Sequence, residues 1–107
     1  MILQKLYKKF PKADWDDEAL AYNQTMITEK YMLENKNSKK MMQFFRSYPD
    51  EITTNLNISS EFILNNLDLE CWDLVMFLRK EDLTIEFILA NLDKLNSNSF
   101  YSDKEMI

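Results

Sequence analysis

The chain has no histidine, no glycine, one cysteine and two prolines among its 107 residues. Each shortage excludes a chemistry. Without imidazole there is no Ser-His or Cys-His nucleophilic pair and no imidazole metal ligand. Without glycine there is no phosphate-cradling P-loop, no dinucleotide-binding turn, no strained nucleophile elbow and no usual calcium loop. The lone thiol, Cys71, can form no internal disulfide and build no zinc site, which suits a reducing compartment and a small buried apolar group. Long apolar runs are also missing. The longest, Leu74 to Leu78, has five residues, against the roughly 20 that a membrane helix needs. Lys5, Lys8, Lys9 and Lys12 interrupt the apolar residues after Met1, so no secretory signal and a cytoplasmic location are expected.

Carboxylate, lysine and tyrosine chemistry remains. Asp14, Asp16, Asp17 and Glu18 could hold a divalent ion through oxygen ligands, but the simpler reading is an acidic helix start, with Asp14 or Asp16 as N-cap after Pro11. The expectation is a chain with no catalytic residues, no metal and no cofactor. It should act by binding another macromolecule.

The apolar content of 46 % and aromatic content of 13 % are those of a folded domain, not of a disordered one. One core is feasible at this length. The net charge of −5 is unevenly placed: residues 1–57 carry nine Lys/Arg against eight Asp/Glu, whereas residues 58–107 carry four against ten. The acidic second half disfavours direct nucleic-acid binding, which needs cations that displace counterions. A basic protein partner would suit it better.

Helical spacing dominates the pattern. Ile2, Leu3, Leu6, Tyr7 and Phe10 predict an amphipathic helix ended by Pro11, with lysines on its other side. Its apolar stripe is read as core in preference to a membrane or partner contact. A second helix is predicted over about 16–34, with either Leu20, Ile27 and Tyr31 or Ala19, Tyr22, Met26 and Leu33 facing inward. Residues 35–40 read as a loop. Ser38 then caps a short helix carrying Met41, Met42, Phe44 and Phe45, which Pro49 ends. This Met and Phe cluster could adapt to varied partners, but core packing is the preferred reading. The stretch 52–58, with two threonines, is the one place where extended structure is expected.

The second half repeats itself. Ile58 to Leu69 aligns with Leu83 to Lys94 at an offset of 25 residues, with seven identities in twelve positions. Each copy starts with a hydroxyl residue, Ser59 or Thr84, that can cap a short helix, followed by an acid in its first turn. Phe62, Ile63 and Leu67, like Phe87, Ile88 and Leu92, are expected to face inward. Between the copies, Cys71, Trp72, Val75, Met76 and Leu78 have helical spacing, so each unit reads as a pair of short helices. The predicted fold is therefore all-α: a small single-domain bundle of short helices with two copies of a 25-residue helical repeat in its C-terminal half. Its parts are N-terminal helices over 1–57, a first repeat over 58–82, a truncated second repeat over 83–96 and a polar tail over 97–107.

Ser60-Glu61-Phe62-Ile63 followed by Asn66-Leu67-Asp68 and Trp72, and Glu86-Phe87-Ile88 followed by Asn91-Leu92-Asp93-Lys94-Leu95, resemble the repeat of Leu-Ser-Glu-Glu-Phe-Ile then Leu-Asp-Trp found in phage and large-virus proteins of unknown function. The resemblance covers about residues 58–96 and departs where Ser97 replaces the second tryptophan. It implies a viral or mobile-element origin and no residue-level chemistry. By analogy of type, a small acidic phage protein is similar in character to host-takeover and anti-defence proteins, including anti-CRISPR inhibitors.

The leading expectation is a stoichiometric inhibitor or adaptor on a host enzyme or defence complex. Asp68, Glu70, Asp73, Glu81, Asp82, Glu86 and Asp93, with Trp72, would meet a basic, nucleic-acid-binding surface on that partner. The plainer reading makes these charges solvated helix faces. Two alternatives are carried: a homodimer or larger assembly meeting through Trp72 and the Met41-Met42-Phe44-Phe45 cluster, and DNA binding through the lysines of 5–12 and 36–40.

Overall fold

The computed structural model describes residues 2–95. Among them every regular element is helical, as the periodicity predicts: α1 (Ile2–Lys9), α2 (Asp17–Tyr22), α3 (Glu29–Glu34), α4 (Lys39–Ser47), α5 (Pro49–Thr54), α6 (Ser60–Asn65), α7 (Leu74–Phe77), α8 (Ile85–Ala90) and α9 (Leu92–Leu95), with a 3-10 turn at Leu67–Leu69. No described helix is long and apolar enough to cross a membrane. The predicted tail over 97–107, with Ser97, lies outside the described residues.

A recurrent frame explains why the helices are so short. In α2, α3, α5, α6 and α8 a cap residue precedes six helical residues, and an asparagine stands seven positions after the cap: Asp16 and Asn23, Thr28 and Asn35, Tyr48 and Asn55, Ser59 and Asn66, Thr84 and Asn91. With no glycine to turn the chain out of a helix, asparagine ends it. In three of these helices its side-chain amide donates back to a carbonyl one turn earlier, Asn35 to Tyr31, Asn66 to Phe62 and Asn91 to Phe87, each at 2.8 Å. At Asn66 and Asn91 that satisfies one of the carbonyls a helix end leaves without a partner, and at Asn35 it reinforces the backbone N–H that already donates to Tyr31.

The same three helices open alike. Thr28, Ser59 and Thr84 each accept through Oγ from the N–H three residues on, at 3.1, 3.0 and 3.1 Å. The aligned copies at 58 and 83 thus form the same local structure, and residues 27–35 form it a third time. Ile27, Ile58 and Leu83 stand just before the caps, where an apolar residue serves the entry of the chain into a helix.

The predicted helix over 16–34 is broken into α2 and α3. Asn23 ends the first half by accepting through Oδ1 from the N–H groups of Thr25 and Met26, and Thr28 caps the second. The extended expectation for 52–58 is also overturned. Pro49 ends α4 as predicted but occupies the first turn of α5, where its missing N–H has no helical partner to lose.

The core is built from every unit up to α7, with Leu83, Phe87 and Leu95 of the last repeat only partly buried against it. Met41, Met42, Phe44 and Phe45 of α4 are buried, as the core reading requires, with Ile27, Met32, Ile52, Ile58, Ile63, Trp72 and Phe77. Helix α5 lies centrally, packed against α2, α4 and α7. Its Asn55, fully buried, donates to the carbonyls of Ala21 and Asn23 at 3.3 Å and ties it to the end of α2.

Candidate functional site

Three of the eight residues predicted to meet a partner are engaged inside the protein. Trp72 is a correction: it is 0 % exposed, donates its indole N–H to the Asn66 carbonyl at 2.8 Å and meets Phe62 edge to face at 6.1 Å. A side chain so enclosed offers no contact surface, and the assembly reading through Trp72 and the buried Met and Phe cluster falls with it. Asp73 is buried as well. It caps α7 by accepting from the Met76 N–H at 2.9 Å, and its own N–H donates to Thr53 Oγ1.

Asp82 reaches back from the end of the first repeat to its start, accepting from the Ser60 N–H at 2.9 Å and from Ser60 Oγ at 2.6 Å. Burial pushes its carboxyl pKa up, but the two Ser60 bonds and the charge of Lys80 outweigh this and hold it below the ordinary range. Lys80 is half-buried and donates to the carbonyls of Thr53 and Asn55, so it closes the C-terminal end of α5. Burial lowers its pKa, opposed by Asp82 and Glu29. Glu29 itself accepts from the Ser59 N–H at 2.9 Å. These charges lash neighbouring units together.

The other five acids, Asp68, Glu70, Glu81, Glu86 and Asp93, are exposed. Asp68 sits in the 3-10 turn and Glu70 just after it, in the left-handed region at φ 56°. Glu81 shares a groove of about 400 Å³ with Arg79, Lys80 and Asp82. Glu86 and Asp93 belong to the final pair, α8 and α9.

On that final pair the structure reveals what sequence reasoning missed. Leu64 of α6 is 4 % exposed, whereas its counterpart in α8, Leu89, is 62 % exposed. Ile85 is 72 % exposed and Leu92, expected to face inward, is 46 % exposed. Helix α6 buries Ser60, Phe62, Ile63 and Leu64; α8 buries none of its residues. The same local fold is closed over in one copy and open in the other. A stripe at 85, 89 and 92 in a repeat with no helix predicted after it was the legible signal.

The lysines of the two basic segments do come together. Lys5 and Lys8 of α1 and Lys40 of α4 line one groove of about 490 Å³, and Lys36, Lys39 and Arg46 line an adjoining one of about 390 Å³, with Ser38 common to both. Helix α4 carries no acid in its first turn. It places Lys39 and Lys40 there, against the helix dipole.

Chemically active groups are few. No three of the described Cys, Asp or Glu residues are grouped to hold a metal ion, and Asp16 of the acidic run serves as the N-cap of α2, accepting from the Ala19 N–H. Burial pushes the Cys71 thiol up to about 12, opposed in part by Arg46, which leaves no thiolate to react at neutral pH. Comparison of the chain with protein-family models, with curated proteins and with solved structures gives no match.

Proposed function

We propose that this chain is a non-catalytic protein-binding module, a stoichiometric inhibitor or adaptor acting on a host protein, and that it docks through its last repeat. The observation that supports this is the open apolar face of α8, closed at the matching positions of α6. An exposed apolar surface rimmed by charge is the usual mark of a protein contact, and Glu86 and Asp93 on the same two helices favour a basic partner. A tagged chain exposed to host lysate tests the reading. Leu89→Asp, combined with Ile85→Asp, should abolish capture of a partner that a Lys9→Glu variant still retains. Capture unchanged by the double substitution overturns it.

A second reading, polyanion binding, is favoured by the lysines gathered around Ser38. It predicts a gel shift with single- or double-stranded DNA at low salt that is lost steeply as salt rises. No shift at low salt ends that reading.

A further inference from the structure

Helix α1 is apolar on two sides. Leu3 and Tyr7 face the core, Tyr7 against Trp15 at 5.6 Å and Phe44 at 5.8 Å between ring centroids, and the Gln4 amide donates to the Met26 carbonyl at 2.7 Å. Ile2, Leu6 and Phe10, each one turn from the next, are exposed. Around them stand Lys5, Lys8, Lys9 and Lys12, and no acid precedes Asp14. The face is apolar and basic.

The α8 face is its electrostatic opposite. Ile85, Leu89 and Leu92 are exposed on helices that carry Glu86 and Asp93, and Lys94, the one cation on α9, donates to Asn65 Oδ1 at 3.3 Å. The two faces belong to separate parts of the molecule: α1 is fastened to the turn after α2 and to α4, and α9 to the end of α6. At the helical rise per residue Ile85 to Leu89 spans about 6 Å and Ile2 to Phe10 about 12 Å.

We infer that the occupant of the α8 face is the α1 face of a second copy of this chain. This rests on the reading above that the α8 face docks protein; in the absence of a host protein a second copy fills that face, and a host partner would compete with it there. Self-pairing of like faces is opposed by charge: α8 against α8 sets Glu86 and Asp93 against their own copies, and α1 against α1 does the same with four lysines. Pairing of unlike faces matches both charge and apolar surface. Such a contact is heterologous, so it leaves one free face of each kind and propagates into a ring or an open chain.

Sedimentation velocity from micromolar to millimolar protein tests this. The wild type should form species larger than one chain, growing with concentration and receding as salt rises. Leu6→Asp and Leu89→Asp, both at exposed positions, should each sediment as a single chain. Their equimolar mixture should form a two-chain species and nothing larger, because each supplies the face the other lacks. Far-UV circular dichroism establishes that both variants are folded; Ile2→Asp and Ile85→Asp replace them if either is not.

A wild type that stays a single chain throughout overturns the inference. So does a mixture that fails to pair, or a Leu6→Asp variant that still dimerises. A monomeric wild type that loses a host partner on Leu89→Asp overturns self-assembly and leaves the docking reading standing.

Discussion

Replacing Asp82 by alanine distinguishes a carboxylate that fastens the end of the first repeat to its start from one offered to a partner. The change removes two hydrogen bonds to Ser60, the first residue of α6, and the charge beside Lys80. Bonds to a charged acceptor contribute about 1.5–3 kcal/mol each when shielded. Asp82 is exposed, and water takes over much of what is lost. The expected loss is therefore about 1–2 kcal/mol, the size of a removed helix cap, or roughly 4–12 °C in Tm for a domain of this length. The pH dependence has a definite sign. Because the folded carboxyl titrates below its ordinary value, its contribution is present above about pH 4 and is lost as pH falls through the folded pKa. Urea titrations of wild type and Asp82→Ala at several pH values read this directly. The gap should be full at pH 7 and should narrow below pH 4. Equal stability at pH 7, or a gap that persists unchanged at pH 2, refutes the reasoning.

Trp72→Phe should lower stability by about 2 kcal/mol, from one lost hydrogen bond and a void beside Phe62, while the Asn66 carbonyl keeps its bond from the Leu69 N–H; a shift in urea midpoint worth under 0.5 kcal/mol would contradict its burial. Asp50 titrates above its ordinary range because of burial, its hydrogen bond to Asp73 and the charges of Asp73 and Glu51. Its favourable contribution is present below its ordinary pKa and is lost as pH rises through the folded one. Asp50→Asn keeps a donor for Asp73, so thermal melts should show that slope removed and stability at pH 7 equal or higher. Glu70→Asn should raise Tm modestly, since asparagine tolerates the left-handed region that costs other residues about 1 kcal/mol. Hydrogen exchange should find the amides of α8 less protected than those of α6, and should find that difference shrinking once the α8 face is covered.

The helices were legible wherever apolar spacing and a cap agreed. Ser38, Ser59 and Thr84 announce their helices, and Pro11 and Pro49 mark ends. What failed to show was where helices stop without proline. An asparagine that closes a helix reads in sequence as one more polar residue, so the 16–34 period ran through Asn23 unbroken. The third copy of the frame, at 27–35, shares only Leu33 and Asn35 as identities with both later copies; Tyr31 stands for phenylalanine and Met32 for isoleucine. Between the repeats, Cys71 is buried as expected, whereas Trp72, expected to meet a partner, is buried too, and α7 begins after both at Leu74. Phe77 is buried there, while Val75 and Leu78 are exposed. The acidic candidates misled because a charge count does not distinguish Asp73 and Asp82, which cap helices, from Glu86 and Asp93, which do not.

Six-residue helices also determine where such a chain can bind. A helix this short is not stable in isolation, so each unit depends on a neighbour to cover the residue four positions after its cap. Leu20, Met32, Ile52 and Ile63 are all buried at that place, and in the last unit Ile88 is only partly so. One position further on, Ala21, Thr53 and Leu64 are covered from within the chain, whereas Leu89 of α8, like Leu33 of α3, is exposed. A surface missing one layer of its own stack is already shaped for an amphipathic helix. Exposed Ile2, Leu6 and Phe10 give α1 that character. Binding at α8 would therefore extend the same physics that folds the interior, with a helix from outside standing where the described residues supply none.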